Sequence, residues 1–258
     1  MPMKAFFATA RMCVRNQNDF GLLDTLGAYL LKLITLAAQW MIWRAILPDG
    51  AEIDGMTRQG MLVYVTVSSA LAPLLDVRTP ASSWLHDGTM LGLFQRPRSV
   101  FAQLAAHTAG GWIIPLLCYG LPLLLTASLL GFPPVPVSPW FYPSLLLCIS
   151  QGFAVDYLFA CLLIRMNNLE WTVHSIRNAL TALLTGGLIP FAALPWGLGA
   201  ILELSPLGTL AGAPLALLTG LGDPVRLVGA QLFWNATLWP LALWAFRASR
   251  ERMVSYGG

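Results

Sequence analysis

The sequence predicts an all-α, polytopic membrane protein, and three observations carry that prediction. Of 258 residues, 57% are hydrophobic and only 10% are charged. A soluble domain carries roughly 25% charged residues, so too little polar surface exists here to cover a water-facing globule. Mean hydropathy is +0.66. Apolar runs long enough to cross a bilayer core, roughly 20 residues for about 30 Å, recur from end to end. A single transmembrane domain over 1–258 is the simplest organisation.

Residues 1–19 are expected to form an elbow helix lying along the membrane surface. They lack the apolar h-region and small-residue cleavage site of a signal peptide. At about 100° per residue, Met3, Phe7, Ala10 and Val14 share one face. Lys4, Arg11 and Arg15 share another, suited to anionic headgroups. Asn16, Gln17, Asn18 and Asp19 end the pattern and cap the next helix.

Six spans are then predicted at 20–47, 60–77, 109–130, 144–164, 178–194 and 227–246. An acidic loop with Asp49, Glu52 and Asp54 joins the first two. An uncharged, proline-rich loop over 131–143 joins the third and fourth. Basic residues orient the chain, because translocating them is unfavourable. With the N-terminus inside, Lys4, Arg11, Arg15, Arg78, Arg96, Arg98, Arg165, Arg177, Arg247, Arg250 and Arg252 are cytoplasmic. Only Arg44, Arg58 and Arg226 are outside, and Lys32 lies within a span. Both termini are therefore expected in the cytoplasm. Trp40, Trp43, Trp140 and Trp196 fall near the outer interface as an aromatic belt.

Two stretches are not simple spans. Over 188–224, five prolines (Pro190, Pro195, Pro206, Pro214 and Pro224) and six glycines cut an apolar run into short pieces. Two short helices that dip into the outer leaflet and return keep the basic C-terminal tail inside. Irregular backbone at that depth must be covered by protein or line a wet cavity. In the cytoplasmic loop 79–98, Thr79-Pro80 ends a span, and 81–94 can form one short helix before Arg96-Pro97. Trp84, Leu85, Met90, Leu93 and Phe94, flanked by His86, Asp87 and Arg96, make an exposed apolar patch suited to docking another protein. A helix folded back on the membrane interface is the alternative.

Candidate pathway or gate residues are marked by the cost of intramembrane charge. Asp156 stands among Ala154, Val155, Tyr157 and Leu158 in the fourth span; it serves the pathway or gate, forms a structural pair, for which Lys32 is a candidate, or is a protonated buried acid. Glu203, nearly alone among apolar residues, either lines an outer exit or caps a short helix.

Several chemistries are unsupported. Both lysines, Lys4 and Lys32, follow residues other than glycine, so no phosphate-binding loop exists for ATP hydrolysis on this chain. His86, His107 and His174 show no zinc spacing, and no Gly-x-Ser-x-Gly elbow occurs. Cys13, Cys118, Cys148 and Cys161 contain no Cys-x-x-Cys pair and read as reduced core residues. No basic tract interleaved with aromatics points to nucleic acid. No catalytic, cofactor or metal site is expected.

The order of elements resembles the membrane subunit of type-2 ATP-binding-cassette transporters, in their bacterial six-span branch. The loop pattern Gly-x-apolar-x-x-x-apolar-x-basic-Pro is carried by Gly88, Met90, Phe94, Arg96 and Pro97, with Met90 and Phe94 where leucines are usual. A Gly-x-x-Pro pattern leaves the fifth span at Gly187 and Pro190, followed by Pro195 and Pro206. The resemblance implies a permease subunit of an exporter that pairs with a second permease, identical or homologous. It also implies a cytosolic ATPase dimer that holds ATP and Mg and grips the 79–98 loop as a coupling helix. Two other readings remain: an ion-coupled secondary transporter using Asp156 and Lys32, and a membrane-embedded transferase using Asp156 or the His86–Asp87 pair. A secondary transporter would more often show matching halves with broken helices, whereas only the second half is broken here.

Overall fold

Helices form where the apolar runs lie, and most of their breaks fall at proline or glycine. The computed structural model describes residues 8–9, 11–13, 22–48, 50–53, 55–86, 88–166 and 170–256. The elbow helix predicted over 1–19 falls almost wholly outside the described residues, as do Asp49, Asp54 and Asp87.

Helix α1 (Leu22–Ile46) is 25 residues long. A two-residue antiparallel ribbon follows, β1 (Glu52–Ile53) with β2 (Met56–Thr57), pairing Glu52 with Thr57. The ribbon delivers Thr57 to the N-cap of α2 (Arg58–Ala70), where its hydroxyl accepts from the Gly60 N–H at 3.1 Å. The helix breaks at Leu71 and resumes as α3 (Ala72–Leu75), because Pro73 has no N–H to continue it.

The single helix predicted over 81–94 is two: α4 (Ala81–His86) and α5 (Thr89–Phe94). Gly88 between them adopts φ +77°, a left-handed geometry that favours glycine and turns the chain. Ser99 then caps α6 (Val100–Pro115), which passes through a π-turn (Leu116–Gly120) into α7 (Leu121–Leu129). The widened turn lies between Pro115 and Pro122, whose missing N–H groups disturb the regular ladder. After the proline-rich loop come α8 (Phe141–Arg165) and α9 (Glu170–Leu184). A 3-10 turn (Phe191–Ala193) leads to α10 (Leu198–Glu203), α11 (Gly208–Thr219) and α12 (Pro224–Tyr256).

The chain is thus predominantly helical, and among the described residues two stretches are long and apolar enough to cross a membrane: Val100–Leu129 and Phe141–Arg165. Several boundaries differ from the predicted spans. The third begins earlier, at Val100, and α12 runs ten residues past the predicted end at 246. Neither extension contains a helix breaker, so the ladder continues beyond the apolar core of each run. Helix α9 starts at Glu170 rather than 178 and stops at Leu184, because Gly186 and Gly187 interrupt it.

Helix α8 is the axis of the packing. Helix α12 runs along it, and α11, α3, α4 and α9 also pack on it. Two apolar cores result. One joins α1, α2, α7 and α11 through residues such as Leu36, Tyr64, Leu123 and Leu215. The other joins α4, α5 and α6 to the second halves of α8 and α12 through Ala81, Met90, Leu104, Tyr157 and Ala245.

That second core corrects the exposed apolar patch expected over 81–94. Met90 is 2% exposed and Leu93 5% exposed, both enclosed within this chain, while Trp84 and Phe94 are half-buried against the same core. The surface of α5 and its exit is instead Thr89, Gly92, Gln95 and Arg96. The aromatic belt is also divided. Trp43 is buried, and Trp40 donates to the Thr66 hydroxyl at 3.0 Å, whereas Trp140 and Trp196 are exposed.

Candidate functional site

Asp156 lies on the fifth turn of α8 and is 1% exposed. A bare carboxylate there would be costly, and it is not bare. Arg177 of α9 forms an ion pair with its Oδ1. Thr79, in the loop after α3, donates to Oδ2 through its backbone N–H at 3.0 Å and through its hydroxyl. The guanidinium of Arg177 also donates to the Val77 carbonyl at 2.6 Å and to Asp76 at 3.3 Å. Asp76 in turn accepts two bonds from Arg78, at 2.6 and 2.8 Å. Phe159 lies under the Arg177 guanidinium, 5.6 Å from its ring centroid.

This arrangement replaces the Asp156–Lys32 pair considered from the sequence. Arg177, assigned there to a cytoplasmic loop, is 4% exposed, because α9 begins at Glu170 and carries residue 177 two turns inside. Its planar fork serves several acceptors at once, which an ammonium on a flexible stem does less well.

The linkage continues into the helix pair. The Thr79 hydroxyl that donates to Asp156 also accepts from the Ala81 N–H, 3.2 Å away at the start of α4. The Trp84 N–H and the Ser83 hydroxyl donate to the Pro80 carbonyl at 2.9 and 3.1 Å. One buried carboxylate therefore fastens α8, α9 and the first turn of α4 together.

Two open grooves of about 610 and 630 Å³ meet beside this cluster and share Lys32, Ala72, Asp76 and Arg78 in their walls. The Lys32 ammonium sits 5.5 Å from the ring centroid of Tyr119 and 6.0 Å from that of Tyr29. Those rings stack at 5.7 Å, and the Tyr119 hydroxyl meets Ser69 at 2.6 Å. Among the described residues, no carboxylate pairs with Lys32.

The broken segment after α9 is held by polar side chains from three helices. Tyr64 and Ser68 of α2 donate to the successive carbonyls of Gly186 and Gly187 at 2.6 and 2.5 Å. Gly186 has φ +73°, and a Cβ there would lie 2.9 Å from the Phe191 ring, so glycine is required twice over. Deeper in, the turn between α10 and α11 is bound by two fully buried amides. Gln151 of α8 donates to the Pro206 carbonyl at 2.5 Å and to the Thr209 hydroxyl at 2.9 Å. Gln231 of α12 donates to the carbonyls of Thr209 and Ser144 at 2.8 and 3.2 Å. Trp234 reaches the Leu204 carbonyl at 2.8 Å. Glu203 ends α10 and, with Tyr64, lines a cavity of about 200 Å³. Among the described residues it caps no helix start.

Of the predicted docking residues, Met90 and Leu93 are buried, Trp84 meets His107 edge-on at 4.7 Å, and Phe94 lies 6.3 Å from Phe246. Arg96 is exposed. The side chains of Leu85 and His86, and all of Asp87, lie outside the described residues. Sequence reasoning missed Arg177 and Thr79 as partners of Asp156, Asp76 as a second acceptor for Arg177, and Gln151 and Gln231 as anchors. The available signal was a lone glutamine inside each of two apolar runs, since a buried amide must find partners. Among the described residues, no group of three or more His, Cys, Asp or Glu is placed to hold a metal ion. No protein-family model and no curated protein matches the chain.

Proposed function

We propose that the chain is the permease subunit of an ATP-driven exporter in a bacterial inner membrane. It forms half of a translocation pathway with a second permease subunit, identical or homologous. A cytosolic ATPase dimer carrying ATP and Mg drives it, and the chain catalyses nothing by itself. The six spans of this reading are α1, α2 with α3, α6 with α7, α8, α9 and α12. Helix α9 rises only about 22 Å, and residues 185–194 complete its crossing, with α2 binding the Gly186 and Gly187 carbonyls.

The observation that carries this reading is the Asp156 linkage. A coupling element must pass a push on cytosolic helices to the spans without absorbing it. The buried, charge-assisted bonds among Asp156, Arg177 and Thr79 join α4 to two long helices in that way. Displacement of the α4–α5 pair then tilts α8 and α9 as rigid bodies. The partly buried, hydrogen-bonded turn over 204–209 fits a re-entrant pair, since irregular backbone at membrane depth must be satisfied by protein. Docking falls to Thr89, Gly92 and Arg96 rather than to the buried Met90 and Leu93. An ion-coupled carrier built on Asp156 and Lys32 loses support, because Arg177 occupies the carboxylate.

Affinity capture from gently solubilised membranes tests the proposal. Wild-type chain is expected to retrieve an ATPase subunit. Gly92→Trp and Arg96→Glu are expected to lose it with an unchanged melting temperature, since Gly92 is exposed and a Cβ there meets nothing within 4 Å. Recovery unaltered by both variants would remove the docking assignment. Nucleotide-free transport by this chain alone in liposomes would overturn the exporter reading.

A further inference from the structure

Lys32 lies ten residues into α1, about 15 Å along the helix from its first residue. Its neighbours Leu30, Leu31, Leu33 and Ile34 are exposed and apolar. An ammonium facing hydrocarbon at that depth is costly. Here it turns instead across the Tyr119 ring, into the space where the two grooves meet. The charged side chains around that space are two cations, Lys32 and Arg78, and one carboxylate, Asp76. Asp76 already serves Arg78 and Arg177, so Lys32 is left without a counter-ion among the described residues. Leu31, Leu36, Val65 and Leu188 supply an apolar wall beside it.

We infer that this groove receives an amphiphilic anion as cargo, its carboxylate or phosphate head on Lys32 and its apolar body along α1. The inference rests on the permease reading and names the charge class of what that permease moves. Among the described residues Lys32 is the cation in these walls that no carboxylate compensates, so charge sign, rather than shape, is the discriminating feature. A neutral analogue leaves Lys32 uncompensated, and a cationic one meets two like charges at the head position.

Fluorescence titration tests the assignment, with dansyl-undecanoic acid and its neutral carboxamide added to the full chain in phosphatidylcholine nanodiscs, at a pH where the acid is ionised. Wild type is expected to bind the acid saturably and about tenfold or more tighter than the carboxamide, the value of one charge-assisted bond. Lys32→Gln removes the preference, and Lys32→Arg keeps it. Equal affinities in wild type, a preference surviving in Lys32→Gln, or no saturable binding each overturn the proposal. Displacement of the acid by phosphatidylglycerol in the disc overturns the cargo assignment, by giving the site to bilayer lipid. No ATPase or nucleotide is present in the assay. Failure to capture an ATPase therefore defeats the exporter reading and leaves the anion site standing, while a captured ATPase with no charge preference defeats this inference alone.

Discussion

Helices α1 and α11 are both built mainly from apolar residues and live in opposite surroundings. Leu217 of α11 is 0% exposed, enclosed where that helix meets α2, α8 and α12. Leu31 of α1 is 65% exposed, and Leu30, Met41 and Ile42 also face away from the chain. The same side-chain chemistry therefore answers to two partners: protein for α11 and, in the proposed bilayer, lipid or a second subunit for α1. Length separates them. The 12 residues of α11 span about 18 Å, too few to cross, whereas the 25 of α1 span about 37 Å. Charge repeats the contrast. Asp156 and Arg177 are sealed between α8 and α9, while Lys32 on α1 is open.

Removing Arg177 should give the largest effect, because it strands a buried carboxylate. Arg177→Ala is expected to cost about 3–5 kcal/mol in detergent unfolding, against less than about 0.5 kcal/mol for Lys32→Gln. Equal losses would break the contrast between sealed and open charge. Next comes the apolar comparison. Leu217→Ala should cost about 2–5 kcal/mol through the cavity it leaves. Leu31→Ala should change stability by less than about 0.5 kcal/mol in the same assay. Glycine gives the smallest effect and the sharpest test, because the sign reverses. A Cβ at Gly212 would lie 3.2 Å from the Thr185 carbonyl and closer still to the Phe191 ring. Gly212→Ala is therefore expected to destabilise by about 1–3 kcal/mol. At Gly27 a Cβ meets nothing within 4 Å, so Gly27→Ala should stabilise α1 by up to about 1 kcal/mol. A shared sign in thermal melts would show that α1 is covered.

The helical fold was largely legible, since long apolar runs interrupted by Pro and Gly leave few other structures. The ends were less so. Residue 177 reads as cytoplasmic because a basic residue beside an apolar run is usually outside it. Burial of Arg177 becomes tolerable only once Asp156, Asp76 and the Val77 carbonyl converge on it. Trp84 to Phe94 reads as an exposed patch for a related reason. Apolar residues in a loop predict that something covers them, and here α6, α8 and α12 do so for Met90 and Leu93.

Composition and run length alone determined that the chain is helical and strongly apolar, because both depend on residue counts and backbone periodicity. They also marked 188–224 as a stretch of short pieces, since proline and glycine act on the backbone wherever they stand, but carried the preceding helix ten residues past its end at Leu184. Which polar groups meet was decided only by the tertiary structure. Asp156 lies 21 residues from Arg177 and 77 from Thr79. Gln231 lies 87 residues from Ser144. Such pairings depend on how the helices are rotated about their axes and set against each other in depth, and neither quantity is written in local sequence.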